Sequence, residues 1–407
     1  MKEVFGKAEY MTRFRTRTFF TALFTASFMA ASSIISPAET LGISSIQALN
    51  GVINGPAASV SGGSTAIDAA LKQIQDAVSN ASSVVSGIQQ GFTVPLPEGY
   101  DFNNVGTYTY DKMTGDLSHL KASYPSMQMD VLGTTVDGRQ IYHVVVGNPN
   151  APHKILVHAA IHGREYITAQ LVMREMASLL EMQAKGQNYA GKNMADVLNA
   201  VCIHFVPMVN PDGVSISQLG MAGIRSQSIR DSIQSMAAQD GVSDMDTYLK
   251  YWKNNARGVN LNKNFDANWS VCSDTKGHPS ADEYKGPSAE SEVESKALAD
   301  LTRRVHFDRT ISYHTQGEVV YWYFGFGSYV NNARIMAQIV NNNSGYGISD
   351  NYAPNSAGGF KDWAEQKLGI PSVTIECGKG TSPVEEGQIT DMWTQNQGVL
   401  PDLLITM

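Results

Sequence analysis

Residues 154–168, Lys-Ile-Leu-Val-His-Ala-Ala-Ile-His-Gly-Arg-Glu-Tyr-Ile-Thr, constrain the fold more than any other stretch of the chain. Residues 155–161 are a short apolar run with the length and β-branched content of a buried strand. From Glu165 onward, Ile167, Leu171, Met173, Met176, Leu179 and Leu180 recur at roughly helical spacing, which predicts a helix. The alternation repeats on both sides. A helix is expected over 110–122, strands over 129–132 and 140–146 around the turn at Asp137-Gly138, and a strand over 201–209 ending in the turn Asn210-Pro211-Asp212-Gly213. Strands at 309–314, 319–324 and 372–375 and helices near 290–304, 329–342 and 358–368 follow, with a polar insertion or lid at 215–256. Strands alternating with helices imply an α/β fold, its sheet largely parallel in the centre and covered on both faces.

A chain of 407 residues with 43% hydrophobic and 17% charged residues has the material for a substantial core. The net charge of −8, without a basic patch, argues against nucleic acid as a partner. Cys202, Cys272 and Cys377 lack zinc-finger spacing and are odd in number, so no disulfide framework is implied.

Before the α/β region the texture differs. Arg13, Arg15 and Arg17 precede an uncharged apolar stretch at 19–35, and Ser36-Pro37-Ala38 offers small residues for cleavage. Residues 1–38 are therefore expected to be a secretory signal peptide, an uncleaved anchor being the alternative. No later segment is apolar enough to span a bilayer, so the expected location is secreted, extracellular or in the cell wall. Residues 39–105 are rich in Ser, Ala and Gly and hold one amphipathic stripe, Ile67, Leu71, Ile74, Val78, Val85 and Ile88. The expectation is a pro-segment or a short docking helix against a partner, with a low-complexity helical spacer as the alternative. The catalytic domain is expected at 106–407.

His162 and Glu165 stand where a strand hands over to a helix, and at that spacing both can face one point. His314 and Glu376 each end a predicted strand. In an open α/β sheet ligands bind beyond the carboxyl ends of the strands, so these groups can converge. Two imidazoles and a carboxylate suit a catalytic Zn²⁺ with an open water position. A further glutamate beside such a site is the equipment of a metallohydrolase.

The runs His162-Gly163-Arg164-Glu165, Arg257-Gly258-Val259-Asn260-Leu261-Asn262-Lys263-Asn264-Phe265, Ser312-Tyr313-His314, and Gly358-Gly359-Phe360-Lys361-Asp362-Trp363 with Thr374-Ile375-Glu376 occur in this order. Together they resemble the zinc metallocarboxypeptidase family (carboxypeptidase A-like), from about Tyr108 to the C-terminus. The resemblance implies a mixed, centrally parallel eight-stranded sheet with helices on both faces. It also implies one zinc ion on His162, Glu165 and His314, with Glu376 as general base and acid. Arg164 matches a substrate-contacting arginine, and Asn262 matches an asparagine that holds the substrate's terminal carboxylate. Lys263 replaces the arginine that usually grips that carboxylate. For the oxyanion-stabilising arginine, Lys253 fits by position and Arg257 by residue type. Tyr352 is the nearest counterpart of the family's mobile tyrosine. Lys361 falls at the base of the specificity pocket, where a cation suggests an acidic group on the substrate.

The flanks Glu376-Cys377-Gly378-Lys379-Gly380 and Thr315-Gln316-Gly317-Glu318-Val319-Val320-Tyr321-Trp322 are similar to bacterial γ-D-glutamyl-L-diamino acid peptidases. The expected function is thus zinc-dependent hydrolysis of peptide bonds near a free carboxylate, with γ-D-glutamyl-diamino acid bonds of peptidoglycan stem peptides as the target and peptidoglycan fragments as the partner. The alternatives are a secreted carboxypeptidase acting on ordinary, including acidic, C-termini, and an inactive wall-peptide-binding relative. A zinc deacylase shares the ligand pattern, but the 258–265 and 359–363 blocks favour the peptidase.

Overall fold

The computed structural model describes residues 94–350 and 357–407. The expected signal peptide, the amphipathic stripe at 67–88 and Tyr352 lie outside the described residues. The packed unit reaches back ahead of position 106, the expected start of the catalytic domain. Val94, Tyr100 and Phe102 are buried in its main core, and the backbone N–H groups of Asp101 and Phe102 donate to the Asp116 carboxylate at 2.9 and 2.8 Å.

Eight strands form the central sheet: β1 (Gln128–Thr134), β2 (Gln140–Val146), β3 (His153–Ala159), β4 (Val201–Val206), β5 (Arg309–His314), β6 (Val319–Tyr321), β7 (Gly347–Ser349) and β8 (Ser372–Glu376). Their spatial order is β1-β2-β4-β3-β5-β8-β6-β7. The middle four, β4-β3-β5-β8, run parallel. Antiparallel pairs flank them, β1 with β2 and β2 with β4 on one side and β8 with β6 on the other. The mixed, centrally parallel sheet expected from the sequence is the one observed.

Parallel strands need cover on both faces because their crossover helices lie there. Residues 155–159 of β3 are all buried, which explains why that run reads as continuously apolar. Helices α1 (Tyr110–Ser123) and α2 (Ile167–Lys185) and the C-terminal helices over Ile389–Asn396 and Val399–Ile405 supply one core. Helix α3 (Val293–Val305), Phe265, Phe360 and Trp363 supply the other. α1 starts where the Thr109 hydroxyl accepts from the Lys112 N–H, an N-cap.

Two local expectations change. Asn210-Pro211-Asp212-Gly213 is the start of the helix Pro211–Leu219 rather than a turn: the Asn210 side chain caps it and Pro211 occupies its first turn. Asp212 serves a buried ion pair, accepting from Arg139 Nη1 at 3.0 Å. Residues 215–256 are a packed satellite rather than a lid, with Ile216, Ile224, Ile233, Leu249 and Trp252 in a core of their own. That satellite delivers Trp252-Lys253 to the end of β3, where the Gly163 N–H donates to the Lys253 carbonyl at 2.8 Å.

Candidate active site

Strands β3, β5 and β8 are parallel neighbours, so their carboxyl ends lie along one sheet edge. His314 and Glu376 are register partners across β5 and β8 and therefore project on the same side. Beyond β3 the chain turns sharply. Ala160 takes a left-handed φ of 49°, an unfavourable conformation for a residue with a side chain. It is held by the Ala160 N–H donating to Thr168 Oγ1 at 3.0 Å and by the Asn210 N–H donating to the Ala160 carbonyl at 3.1 Å. Gly163 is required by close approach, since a Cβ there would lie 2.5 Å from the Gly213 carbonyl and 2.8 Å from that of Trp252. The one-turn helix Gly163–Glu165 then aims His162 and Glu165 inward.

His162, Glu165 and His314 are all buried and their donor atoms lie within 4.8 Å of one another. One Glu165 oxygen is 2.7 Å from His162 Nδ1 and the other 2.8 Å from His314 Nδ1. Burial favours the protonated form of Glu165, but the two imidazoles outweigh it and hold the carboxyl well below its usual range. Burial pushes His162 down to about 4, keeping it a neutral lone-pair donor. A nitrogen–nitrogen–carboxylate set buried around one point fits a zinc ion. Asn260 Oδ1 lies 3.1 Å from His162 Nε2. Accepting from that ring nitrogen fixes the tautomer that leaves Nδ1 free to coordinate.

Glu376 stands one strand from His314. Burial raises its carboxyl to about 7, and the Glu165 charge adds to the rise. Of the two cations proposed for the oxyanion role, Lys253 lies in the site. Its charge acts on His162, Glu165 and Glu376. Arg257 does not. Its side chain is 51% exposed and its Nε is 3.6 Å from Glu292.

The remaining predicted residues form a ring of charge beside the metal set. Arg164 Nη1 lies 3.4 Å from Asp282, and Lys253 Nζ lies 3.4 Å from Asp282 and 3.1 Å from Glu283. Lys263 pairs with the other Glu283 oxygen and lies 3.2 Å from the Ser273 carbonyl. The Asn262 side-chain oxygen accepts from the Phe360 N–H at 3.0 Å, so its amide orients the 359–360 loop. Lys361 is buried with its own counter-charges, 2.6 Å from Asp362 and 3.5 Å from Glu365. It is not the uncompensated cation that its position in the sequence suggests. Asn260, Asp282 and Glu283 were not singled out by sequence reasoning. Asn260 sits inside the 257–265 block, whereas Asp282 and Glu283 lie in a polar stretch without periodicity.

The zinc carboxypeptidase family model matches residues 113–398. Gamma-D-glutamyl-L-diamino acid endopeptidase 1 of Lysinibacillus sphaericus is 28% identical over 299 residues, spanning 73% of this chain and 72% of that protein. The uncharacterized protein YqgT of Bacillus subtilis (strain 168) is 26% identical over 280 residues, spanning 68% and 72%. Among solved structures, thrombin activatable fibrinolysis inhibitor superposes with a TM-score of 0.58 at 17% identity, covering 80% of each chain, a likeness of fold. With that fold, and with two buried histidines and a glutamate gathered at the ends of its parallel strands, the chain belongs to the zinc carboxypeptidase family.

Proposed function

We propose that this zinc metallopeptidase hydrolyses the bond between a γ-D-glutamyl group and a diamino acid in peptidoglycan stem peptides. The observation that carries the reading is the ring of Arg164, Lys253 and Lys263 beside the metal set, a cationic cradle suited to an acid-rich leaving group. The likeness to the Lysinibacillus endopeptidase over most of both chains supports it.

In this reading His162, Glu165 and His314 hold the ion. Zinc supplies Lewis-acid chemistry, acidifying water and polarising a carbonyl. Glu376 takes the proton from the attacking water and returns it to the leaving amine; its raised carboxyl suits a group that both accepts and donates near neutral pH. Lys253 offsets negative charge growing on the scissile carbonyl oxygen. Arg164, Asn262 and Lys263 orient the leaving amino acid, and Lys263 does so as a point charge without an arginine's two-pronged grip.

The domain plan that goes with this activity is an exported one. Residues 1–38 act as the signal peptide, the following Ser/Ala/Gly-rich segment as a pro-segment or spacer, and the enzyme works outside the membrane. The basic residues ahead of the uncharged stretch at 19–35 support it. Among the described residues, no helix is long and apolar enough to cross a membrane.

The test incubates zinc-loaded protein with L-Ala-γ-D-Glu-diaminopimelate and with ordinary peptides ending in acidic or apolar residues. Cleavage of the γ-linked peptide supports the proposal. Turnover of only the ordinary peptides would refute it in favour of a secreted carboxypeptidase.

A further inference from the structure

The cradle that faces the leaving group contains a carboxylate that none of the roles above uses. Glu283 lies between Lys253 and Lys263, one oxygen 3.1 Å from Lys253 Nζ and the other on Lys263 Nζ. Its placement is built in. The Ala281 carbonyl accepts from the Lys253 N–H at 2.9 Å, and the Tyr284 carbonyl accepts from the Asn260 N–H at 2.7 Å. The segment carrying Glu283 is thus stitched to both stretches that carry the metal-side residues. Glu283 itself keeps a left-handed φ of 63° to reach inward, a conformation that costs energy in a side-chain-bearing residue. Burial alone would favour its protonated form, but the two lysines hold its carboxyl down at about 2, so it is an anion at any working pH.

Charge balance in this cradle is restrictive. Arg164, Lys253 and Lys263 face Asp282 and Glu283, three cations against two carboxylates. One further negative charge is balanced; two are not. A leaving group with two carboxylates leaves one carboxylate without a cation, and an unpaired charge in a partly desolvated site is strongly disfavoured. An ammonium on the same leaving group restores the balance, provided an anion is placed to meet it.

We propose that Glu283 is a specificity-determining residue that receives an ammonium group of the leaving amino acid and so selects diamino dicarboxylic acids over their mono-amino analogues. The proposal rests on the reading that this cradle holds the leaving group of a stem peptide. In the free enzyme Lys253 and Lys263 satisfy Glu283. When the substrate carboxylates draw on Arg164 and Lys263, the substrate ammonium takes the place of Lys263 on Glu283, and Lys253 stays beside the scissile carbonyl.

The test uses two pairs of peptides on zinc-loaded protein. Within each pair the C-terminal residue is either meso-diaminopimelate or 2-aminopimelate, which differ only in the distal amine. One pair carries a γ-D-glutamyl linkage and the other an ordinary α-linked acyl-alanyl group. The expected kcat/KM favours the diamino member by about tenfold or more, the scale of one hydrogen-bonded charge contact. Glu283→Gln should bring that ratio close to one, mainly through KM, with zinc content and thermal midpoint checked in parallel. A wild-type ratio below about threefold, or an unchanged ratio in folded, zinc-replete Glu283→Gln, would overturn the assignment. The substrate comparison on wild type decides the matter even if the variant does not fold. Cleavage of only the α-linked pair, with the diamino preference intact, refutes the γ-glutamyl linkage and leaves Glu283 standing. Equal cleavage of both γ-linked members refutes Glu283 and leaves the linkage standing.

Discussion

Replacing Glu175 with Gln should flatten the pH dependence of stability, so that the variant gains on the wild type as the pH rises. Glu175 lies on α2 behind the catalytic strands and is 2% exposed. One of its oxygens accepts from the Tyr313 hydroxyl at 2.6 Å, and the other has no hydrogen-bond partner among the described residues. Burial lifts its carboxyl from 4.5 to about 8, against the smaller opposing effect of the Tyr313 bond. Between those pH values the folded state keeps a proton that the unfolded chain has released, so stability falls as pH rises. Each pH unit is worth about 1.4 kcal/mol, which makes the loss about 3 kcal/mol at pH 7 and larger at pH 8. Below pH 4.5 the contribution vanishes. Glutamine keeps the acceptor for Tyr313 and removes the titration, although its amide N–H groups need partners at a cost of about 1–3 kcal/mol. That cost does not depend on pH, so the quantity to measure is the change in the mutational effect between pH 5 and pH 8. Urea unfolding of zinc-loaded wild type and variant at both values should give a shift of about 3 kcal/mol towards the variant. A shift below about 0.5 kcal/mol would mean that Glu175 is already ionised in the folded protein, and the burial argument would fail.

Glu376→Gln should bind zinc stoichiometrically and lose hydrolysis by about a thousandfold or more, because the proton carrier is gone while His162, Glu165 and His314 remain; metal analysis beside kcat checks it. Lys253→Met should lower kcat by about a hundredfold, whereas Arg257→Ala should stay within about twofold; equal effects would restore Arg257 as the oxyanion residue. Arg139→Met leaves the buried Asp137 and Asp212 carboxylates, 2.7 and 3.0 Å from the guanidinium, without their cation. It should cost about 3–5 kcal/mol in urea unfolding; a loss under about 1 kcal/mol would show the pair to be solvated.

The central strands read from the sequence share one physical property: each is a run buried on both faces. The apolar stretches before His162, His314 and Glu376 announce parallel strands, and the topology then brings their ends together. Residues whose placement depends on loops escaped that logic. Lys253 enters the site and Arg257 meets Glu292, and neither lies in a helix or strand whose periodicity could foretell it. Glu283 belongs to a stretch with neither helical nor strand periodicity, which is held by long-range bonds such as those from the Lys253 and Asn260 backbone. Asn210-Pro211-Asp212-Gly213 carries residues equally suited to a turn and to a helix start, and the cap on Gly213 resolves the choice. Residues 94–105 read as the tail of a linker because Pro95, Pro97 and Gly99 interrupt them, yet Tyr100 and Phe102 anchor them in the core.

The pairing of His314 with Glu376 across two adjacent parallel strands has a consequence for how such an enzyme can diversify. The spacing between the His314 imidazole and the proposed proton carrier is set by the ladder itself, at the interstrand repeat of about 4.8 Å, and no loop need be consulted to keep it. Side-chain charge swaps in the 266–292 stretch can therefore redraw which leaving groups are admitted while the spacing of His314 and Glu376 is kept. On the proposed reading, selectivity is the adjustable part of this molecule, and the sheet holds the reacting pair constant.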